Sequence, residues 1–218
     1  IPPVKAIVFD VFGTLYDVSS VMETAKKIIP NPDPFVTRWR AKQLEYSFLS
    51  SMMGRFENFW EITRKSLTFT ANSLGVTIDE KNRQTLMDAW AMLIPYPEVT
   101  NVLSSLKSKK PLAVLSNGDR NFLDRLLKNT GLTNFFTQVL SADEVRKYKP
   151  APEVYALAAE RLAVGLGEIL MVSSNSFDVV GSKASGMKCC WVRRSSVPLD
   201  ELGVQPDAEV ADLTALSG

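Results

Sequence analysis

Four short apolar runs constrain the fold of this chain more than any other feature: Ala6–Phe9, Leu112–Leu115, Ile169–Val172 and Cys189–Val192. None alternates apolar with polar residues. A strand of that kind has to be covered on both faces, as in a parallel sheet between layers of helices. A weaker run, Thr137–Leu140, reads the same way. Between the runs, Arg120–Lys128, Pro152–Leu162 and Val179–Ser185 carry apolar residues at helical spacing. This alternation over 218 residues predicts an α/β fold, a doubly wound, mostly parallel Rossmann-like sheet.

From Ser20 to about Tyr96 no strand signal appears. Ser20-Val21-Met22-Glu23 has the form of a capping box and predicts a helix stopping near Pro30. Asp33-Pro34 offers an N-cap and a first-turn proline for a second helix, with Trp39, Leu44 and Phe48 at helical spacing. Two further periodic stretches cover roughly 55–74 and 79–93. The expectation is a core of residues 1–15 and 97–218 interrupted by a four-helix cap, residues 16–96.

Formal net charge is +1 with Lys and Arg scattered along the chain, so neither a nucleic-acid face nor a membrane-binding face is expected. No secretory leader is read at Ile1-Pro2-Pro3 and no apolar run is long enough to span a bilayer, so a cytoplasmic enzyme is the default expectation. Cys189 and Cys190 are adjacent, lack any metal-binding spacing, and read as a buried apolar pair. The chain has no histidine, which excludes Ser-His-Asp and Cys-His triads and HExxH zinc sites. Protons must be moved by Asp, Glu, Lys or Tyr.

Ligands of an open α/β sheet sit beyond the carboxyl ends of its strands. Asp10 follows the first run, Ser116-Asn117-Gly118 the second, and Ser173-Ser174-Asn175 the third, with Asp178 shortly after; Lys149-Pro150 precedes the helix beginning near Pro152. These residues converge on one crevice. Each also has a plainer reading. Asp10 and Asp178 could cap turns or helices, Ser116 and Asn117 could close a loop, and Arg40 and Lys149 could be solvated charges. Asp17, Asp143 and Glu144 read as solvated or capping, and Phe56, Phe59 and Trp60 as bundle core.

Four segments resemble, in order, the motifs of the haloacid dehalogenase superfamily: Asp10-Val11-Phe12-Gly13-Thr14, Leu115-Ser116-Asn117-Gly118, Tyr148-Lys149-Pro150, and Ser173-Ser174-Asn175-Ser176-Phe177-Asp178. The resemblance covers the whole chain. It is closest to the L-2-haloacid dehalogenase branch through Phe12, the Ser-Ser-Asn-x-Phe-Asp run, and Trp39-Arg40-Ala41-Lys42-Gln43-Leu44-Glu45-Tyr46. Phosphatases of the superfamily carry a second Asp where this chain has Phe12, and hold Mg²⁺ with acidic residues where it has Ser173, Ser174 and Asn175. A halide needs no proton to leave, so a site displacing it can dispense with that acid.

The resemblance implies attack of Asp10 on C2 of an L-2-haloacid with inversion, then hydrolysis of the resulting ester to a 2-hydroxy acid, without metal or other cofactor. It implies Lys149 paired with Asp10, and Ser116 with the Val11 and Phe12 N–H groups on the substrate carboxylate. Arg40, Asn117 and Phe177 form the halide cradle, Leu44 and Phe59 the pocket wall. Thr14 bonds Asp10, Asp178 activates water with help from Ser173 and Asn175, and Tyr155 assists through its hydroxyl. Lys149, acting through a shared network, is the other candidate for activating water. A homodimer is implied in the same way. Two other readings stand beside this one: a Mg²⁺-dependent phosphatase or phosphonatase of the same superfamily, and a non-catalytic binding module.

Overall fold

A computed structural model describes residues 3–217. Six strands form one sheet: β1 (Ala6–Phe9), β4 (Leu112–Ser116), β5 (Gln138–Ser141), β6 (Ile169–Ser173), β7 (Lys188–Val192) and β8 (Ala208–Val210). Their order is β5-β4-β1-β6-β7-β8, with every pairing parallel. β1 lies at the centre, Phe9 aligned with Val114 on one side and Val172 on the other. All four of its residues are buried, as a run without alternation requires. β1 is thus where the strand order reverses, and its carboxyl end opens on the crevice such a reversal leaves.

Helices α5 (Val99–Lys107), α6 (Arg120–Asn129), α7 (Pro152–Leu162) and α8 (Ser176–Ala184) belong to this layer arrangement. The sequence reading passes over α5, whose buried face is Val99, Val102, Leu103 and Leu106. It also passes over β8, which is only three residues long and half polar in burial. α8 opens at Ser176, three residues before the expected start.

The interrupting segment holds α1 (Val21–Ala25), α2 (Pro32–Met52), α3 (Phe59–Ser73) and α4 (Glu80–Trp90). Two expected helix starts are corrected. Ser20 has helical backbone angles and makes no side-chain cap, so the capping box does not form; Asp17 instead accepts from Ser19 N–H to cap the preceding turn. α2 begins with Pro32 after Asn31, two residues before Asp33-Pro34, and also lacks a side-chain cap. Asn58 and Asp79 cap α3 and α4 through their side chains, as Asx residues do when their oxygen reaches the first-turn N–H groups.

The two chain crossings into and out of the insert pair as a short antiparallel ladder, β2 (Tyr16–Asp17) with β3 (Ile94–Pro95). Tyr96 N–H donates to Leu15 O at 3.0 Å beside it. Above the sheet the insert is fixed by aromatic rings. Phe12 stacks on Phe59 of α3 (5.6 Å) and on Phe122 of α6 (5.4 Å), and meets Trp90 edge-on at 6.2 Å. Trp90 in turn meets Trp39 at 5.6 Å. Phe12 is therefore a packing joint between insert and sheet, contributing on the order of 1 kcal/mol per aromatic pair beyond its burial.

Cys189 and Cys190 are free and buried, and burial pushes their thiols up to about 12 and about 11. Neither is a thiolate at neutral pH. No helix among the described residues is long and apolar enough to cross a membrane.

Asp143 departs from the solvated reading. It is half-buried; its Oδ1 and Asp119 Oδ2 are buried without a hydrogen-bond partner among the described residues. Burial, followed by the charge of Asp119, raises the Asp143 carboxyl from 3.8 to about 6. A carboxyl whose pKa is higher folded than unfolded favours folding when protonated, so its contribution is full below 3.8 and lost as pH rises to about 6. The stability difference between wild type and Asp143→Asn should therefore move against the wild type as pH rises through that window. Urea denaturation at several pH values measures it; a pH-independent difference contradicts the assignment.

Candidate active site

Asp10 is the first residue beyond β1. Its N–H still pairs with Val172 O at 3.0 Å, so sheet bonding holds the backbone while the side chain projects from the edge. The chain then turns tightly: the N–H groups of Thr14, Leu15 and Tyr16 all donate to Val11 O, at 3.3, 3.0 and 3.1 Å. Gly13 takes φ +83°, a conformation glycine adopts without Cβ strain. This turn returns the Thr14 hydroxyl to Asp10 Oδ2 at 3.0 Å.

Three strand ends and one loop then surround the Asp10 carboxylate, which is buried. Asn175 Nδ2, beyond β6, donates to Asp10 Oδ2 at 2.7 Å and to Phe12 O at 2.8 Å. Lys149 Nζ donates to Asp10 Oδ1 at 3.1 Å and to Asp178 Oδ2 at 2.8 Å. Asn117 Oδ1, beyond β4, accepts from Lys149 N–H at 2.8 Å and fixes that loop to the motif after β4. Tyr155 of α7 donates to Asp178 Oδ1 at 3.0 Å. Ser173 ends β6, and its hydroxyl accepts from Asn175 N–H at 3.2 Å.

The electrostatics follow from burying two carboxylates around one ammonium. Burial pulls Lys149 down, but Asp10 and Asp178 together outweigh it and hold the amine above its ordinary value, so it stays charged. Burial raises the Asp178 carboxyl, with Lys149 pulling it down and Asp10 pushing it up again. Tyr155 is raised well above 10 by burial and by Asp178, and stays a donor. Asp178 lies in the first turn of α8, where the helix N-terminus favours an anion.

A small chamber of about 10 Å³ faces Asp10, lined by Phe12, Arg40, Leu44, Phe59, Asn117, Asn175 and Phe177. Arg40 comes from the middle of α2; its guanidinium lies 5.7 Å from the centre of the Trp90 ring, and Nη1 donates to Gln43 Oε1 at 2.6 Å. Burial lowers Arg40 to about 10, partly offset by Asp10, which leaves it a cation at neutral pH. A small, charged and aromatic space thus faces one carboxylate and one guanidinium.

Most expected site residues meet here: Asp10, Thr14, Lys149, Tyr155, Asn175 and Asp178 in the polar network, and Phe12, Arg40, Leu44, Phe59, Asn117 and Phe177 on the chamber wall. Ser116 is fully buried at the end of β4, its hydroxyl accepting from Gly118 N–H at 3.1 Å, which is the loop-closing role. Val11 is buried beneath the turn. Sequence reasoning missed Gln43, fully buried, which links Arg40 to Thr63 through a 2.6 Å bond from its Nε2. Its signal was available: Gln43 lies one helical turn after Arg40 on the same face. Ser174, placed at the crevice by the sequence but given no role there, has its hydroxyl donating to Gly13 O at 2.6 Å and meeting Thr14 Oγ1 at 3.2 Å.

The donor set does not fit a hard divalent cation. Among the described residues no three His, Cys, Asp or Glu gather as metal ligands. A cation bridging the Asp10 carboxylate and the Phe12 carbonyl would need the position that the Asn175 amide nitrogen holds, bonded to both oxygens. That nitrogen is a donor and cannot ligate such an ion.

The model of the haloacid dehalogenase-like hydrolase family matches residues 4–186. The chain is 40% identical over 215 residues to the (S)-2-haloacid dehalogenase of Pseudomonas sp. (strain YL), covering 98% of this chain and 93% of that one. It is 39% identical over 215 residues to haloacetate dehalogenase H-2 of Moraxella sp. (strain B), covering 98% and 96%. Its fold matches the structure of L-2-haloacid dehalogenase from Xanthobacter autotrophicus with chloropropionic acid covalently bound, at TM-score 0.91 and 37% identity, over 98% of this chain and 97% of that one.

Proposed function

The chain belongs to the haloacid dehalogenase-like hydrolase family, and from that membership we propose that it hydrolyses short L-2-haloacids to 2-hydroxy acids with inversion at C2. One observation carries the proposal: a buried carboxylate held only by donors, facing a chamber with a cation and no second acid. Asp10 attacks C2 in line, one carboxylate oxygen bonding to carbon as the carbon–halogen bond breaks. The halide departs toward Arg40, Asn117 and the Phe177 ring. The Val11 and Phe12 N–H groups, with Ser116 beneath them, receive the substrate carboxylate; such a turn makes an anion nest. Leu44 and Phe59 wall the apolar side.

Water then adds to the Asp10 carboxyl carbon. Asp178 takes its proton, Lys149 stabilises the oxyanion, and Ser173 and Asn175 orient the water. The bond between the Asp10 carboxyl carbon and the ester oxygen breaks, that oxygen takes the proton back from Asp178 and leaves as the product hydroxyl, and Asp10, left as a carboxylic acid, releases its proton to solvent and returns as carboxylate. Tyr155 holds Asp178 in place. With only about 10 Å³ free, the insert (residues 16–96, the cap) has to part from the sheet to admit substrate. A homodimer is proposed from the resemblance, with exposed Leu49, Met52 and Met53 at the end of α2 as an apolar face for it. A cytoplasmic setting is proposed on the same ground.

Chloride release from L- and D-2-chloropropionate in the presence of chelator tests this reading. The expected result is release from the L-isomer only, unaffected by chelator. Release that depends on added Mg²⁺, or phosphatase activity without chloride release, would favour the phosphatase reading.

A further inference from the structure

The hydrolytic half of the proposed reaction needs a water at the Asp10 carboxyl carbon, and the chamber facing that carboxylate has only about 10 Å³ free before any ester is formed. On the other face of the catalytic turn lies a second space, a crevice of about 350 Å³ open to solvent. Asn175 lines both spaces. Gly13 and Ser174 line the crevice as well, packed closely enough that a Cβ on Gly13 would lie 3.3 Å from Ser174 Oγ.

The crevice is polar and rigidly framed. Ser174, Ser176, Ser195 and Arg193 supply polar groups along it. Arg194 forms its buttress. Nη2 donates to Thr14 O at 2.8 Å, Nη1 lies 2.6 Å from Glu98 Oε1, and the guanidinium sits 3.7 Å over the Tyr96 ring. Arg194 Nε is buried and has no protein partner among the described residues. The loop at the mouth is pinned to α8, Asp200 N–H donating to Ser176 Oγ at 2.6 Å.

We infer that this crevice is the port through which the hydrolytic water enters, crossing at Asn175, so that the second half-reaction draws no water past the insert. The inference rests on the dehalogenase reading and assigns the crevice a task that reading leaves open. A water handed over at Asn175 arrives beside a side chain already bonded to Asp10 Oδ2, one turn of chain from Asp178. Water supply and substrate entry then use opposite faces of the catalytic turn.

A plug at the mouth tests it. Val197 lines the crevice and is 67% exposed, so Val197→Cys can be labelled with a bulky maleimide after folding; Cys189 and Cys190 are buried and remain unlabelled. Labelled and unlabelled protein are compared for the single-turnover chloride burst, steady-state chloride release, and ester content by intact mass. The expected result is an unchanged burst, steady-state turnover lowered by about tenfold or more, and accumulated ester. Unchanged steady-state turnover in fully labelled protein overturns the inference, because water then comes from the insert side. Equal loss in burst and turnover also overturns it, because the crevice then serves substrate entry. Absence of any chloride release from wild type overturns the dehalogenase reading itself, an outcome distinct from both.

Discussion

Asp10→Asn is expected to abolish halide release, lowering turnover by at least about 10⁴-fold, while leaving the protein folded. An amide is not a nucleophile toward carbon at neutral pH. The surroundings compound the loss. Oδ1 accepts from Lys149, and Oδ2 accepts from Thr14 and Asn175, so every neighbour of the carboxylate is a donor. Either orientation of an amide sets its NH₂ against an ammonium or another N–H. The fold survives because Lys149 keeps Asp178 as counter-ion at 2.8 Å. Chloride assays with circular dichroism as a folding control measure both parts. Activity within about tenfold of wild type would place the nucleophile elsewhere and revive the binding-module reading.

Lys149→Met is expected to be nearly as severe for activity and far worse for stability. The Lys149 and Asp178 side chains are 1% and 0% exposed, and Asp10 is 7%, so removing the ammonium leaves two buried carboxylates facing each other. Breaking such a cluster by deleting one member costs about 3–5 kcal/mol. The sign with pH is defined. Lys149 is the group that draws Asp178 down, so in its absence the carboxyl, already raised by burial and by Asp10, rises further. A carboxyl raised on folding favours the folded state when protonated, so the deficit is largest at neutral pH and shrinks in acid. Adding Asp178→Asn should recover stability without recovering turnover. Urea denaturation of wild type, single and double variants across acid and neutral pH measures this. A single variant as stable as wild type at neutral pH would mean that the ion cluster does not govern the site.

The legible parts of the fold are those dictated by burial on two faces. β1, β4, β6 and β7 announce themselves because their runs have no polar alternation. The polar cluster around Asp10 is legible for the same reason, since Asp10, Asn175 and Asp178 follow strands whose ends the runs define. α5 was equally legible, with Val99, Val102, Leu103 and Leu106 on one face. β2 and β3 are two residues each and carry no periodicity. Their pairing is set by the two crossings into the insert lying side by side. The α2 start was ambiguous because Asn31-Pro32 and Asp33-Pro34 offer the same signal two residues apart.

The contact partners were hidden. Nothing local says that the Asn175 amide bridges Asp10 and the Phe12 carbonyl, or that Phe12 stacks between Phe59 and Phe122. These are long-range facts, fixed only when the insert meets the sheet. They also supply the physical content of the Phe12 substitution. A ring at this position serves packing, and the neighbouring amide nitrogen fills the place between oxygens where a cation would sit.

Mass spectrometry of the Asp10-containing peptide tests the central claim most directly. Protein is mixed with L-2-chloropropionate in chelator and quenched within a turnover. The account predicts a covalent propionate adduct on Asp10, absent with the D-isomer and formed without added metal. An adduct on another residue, or none until Mg²⁺ is supplied, would contradict it.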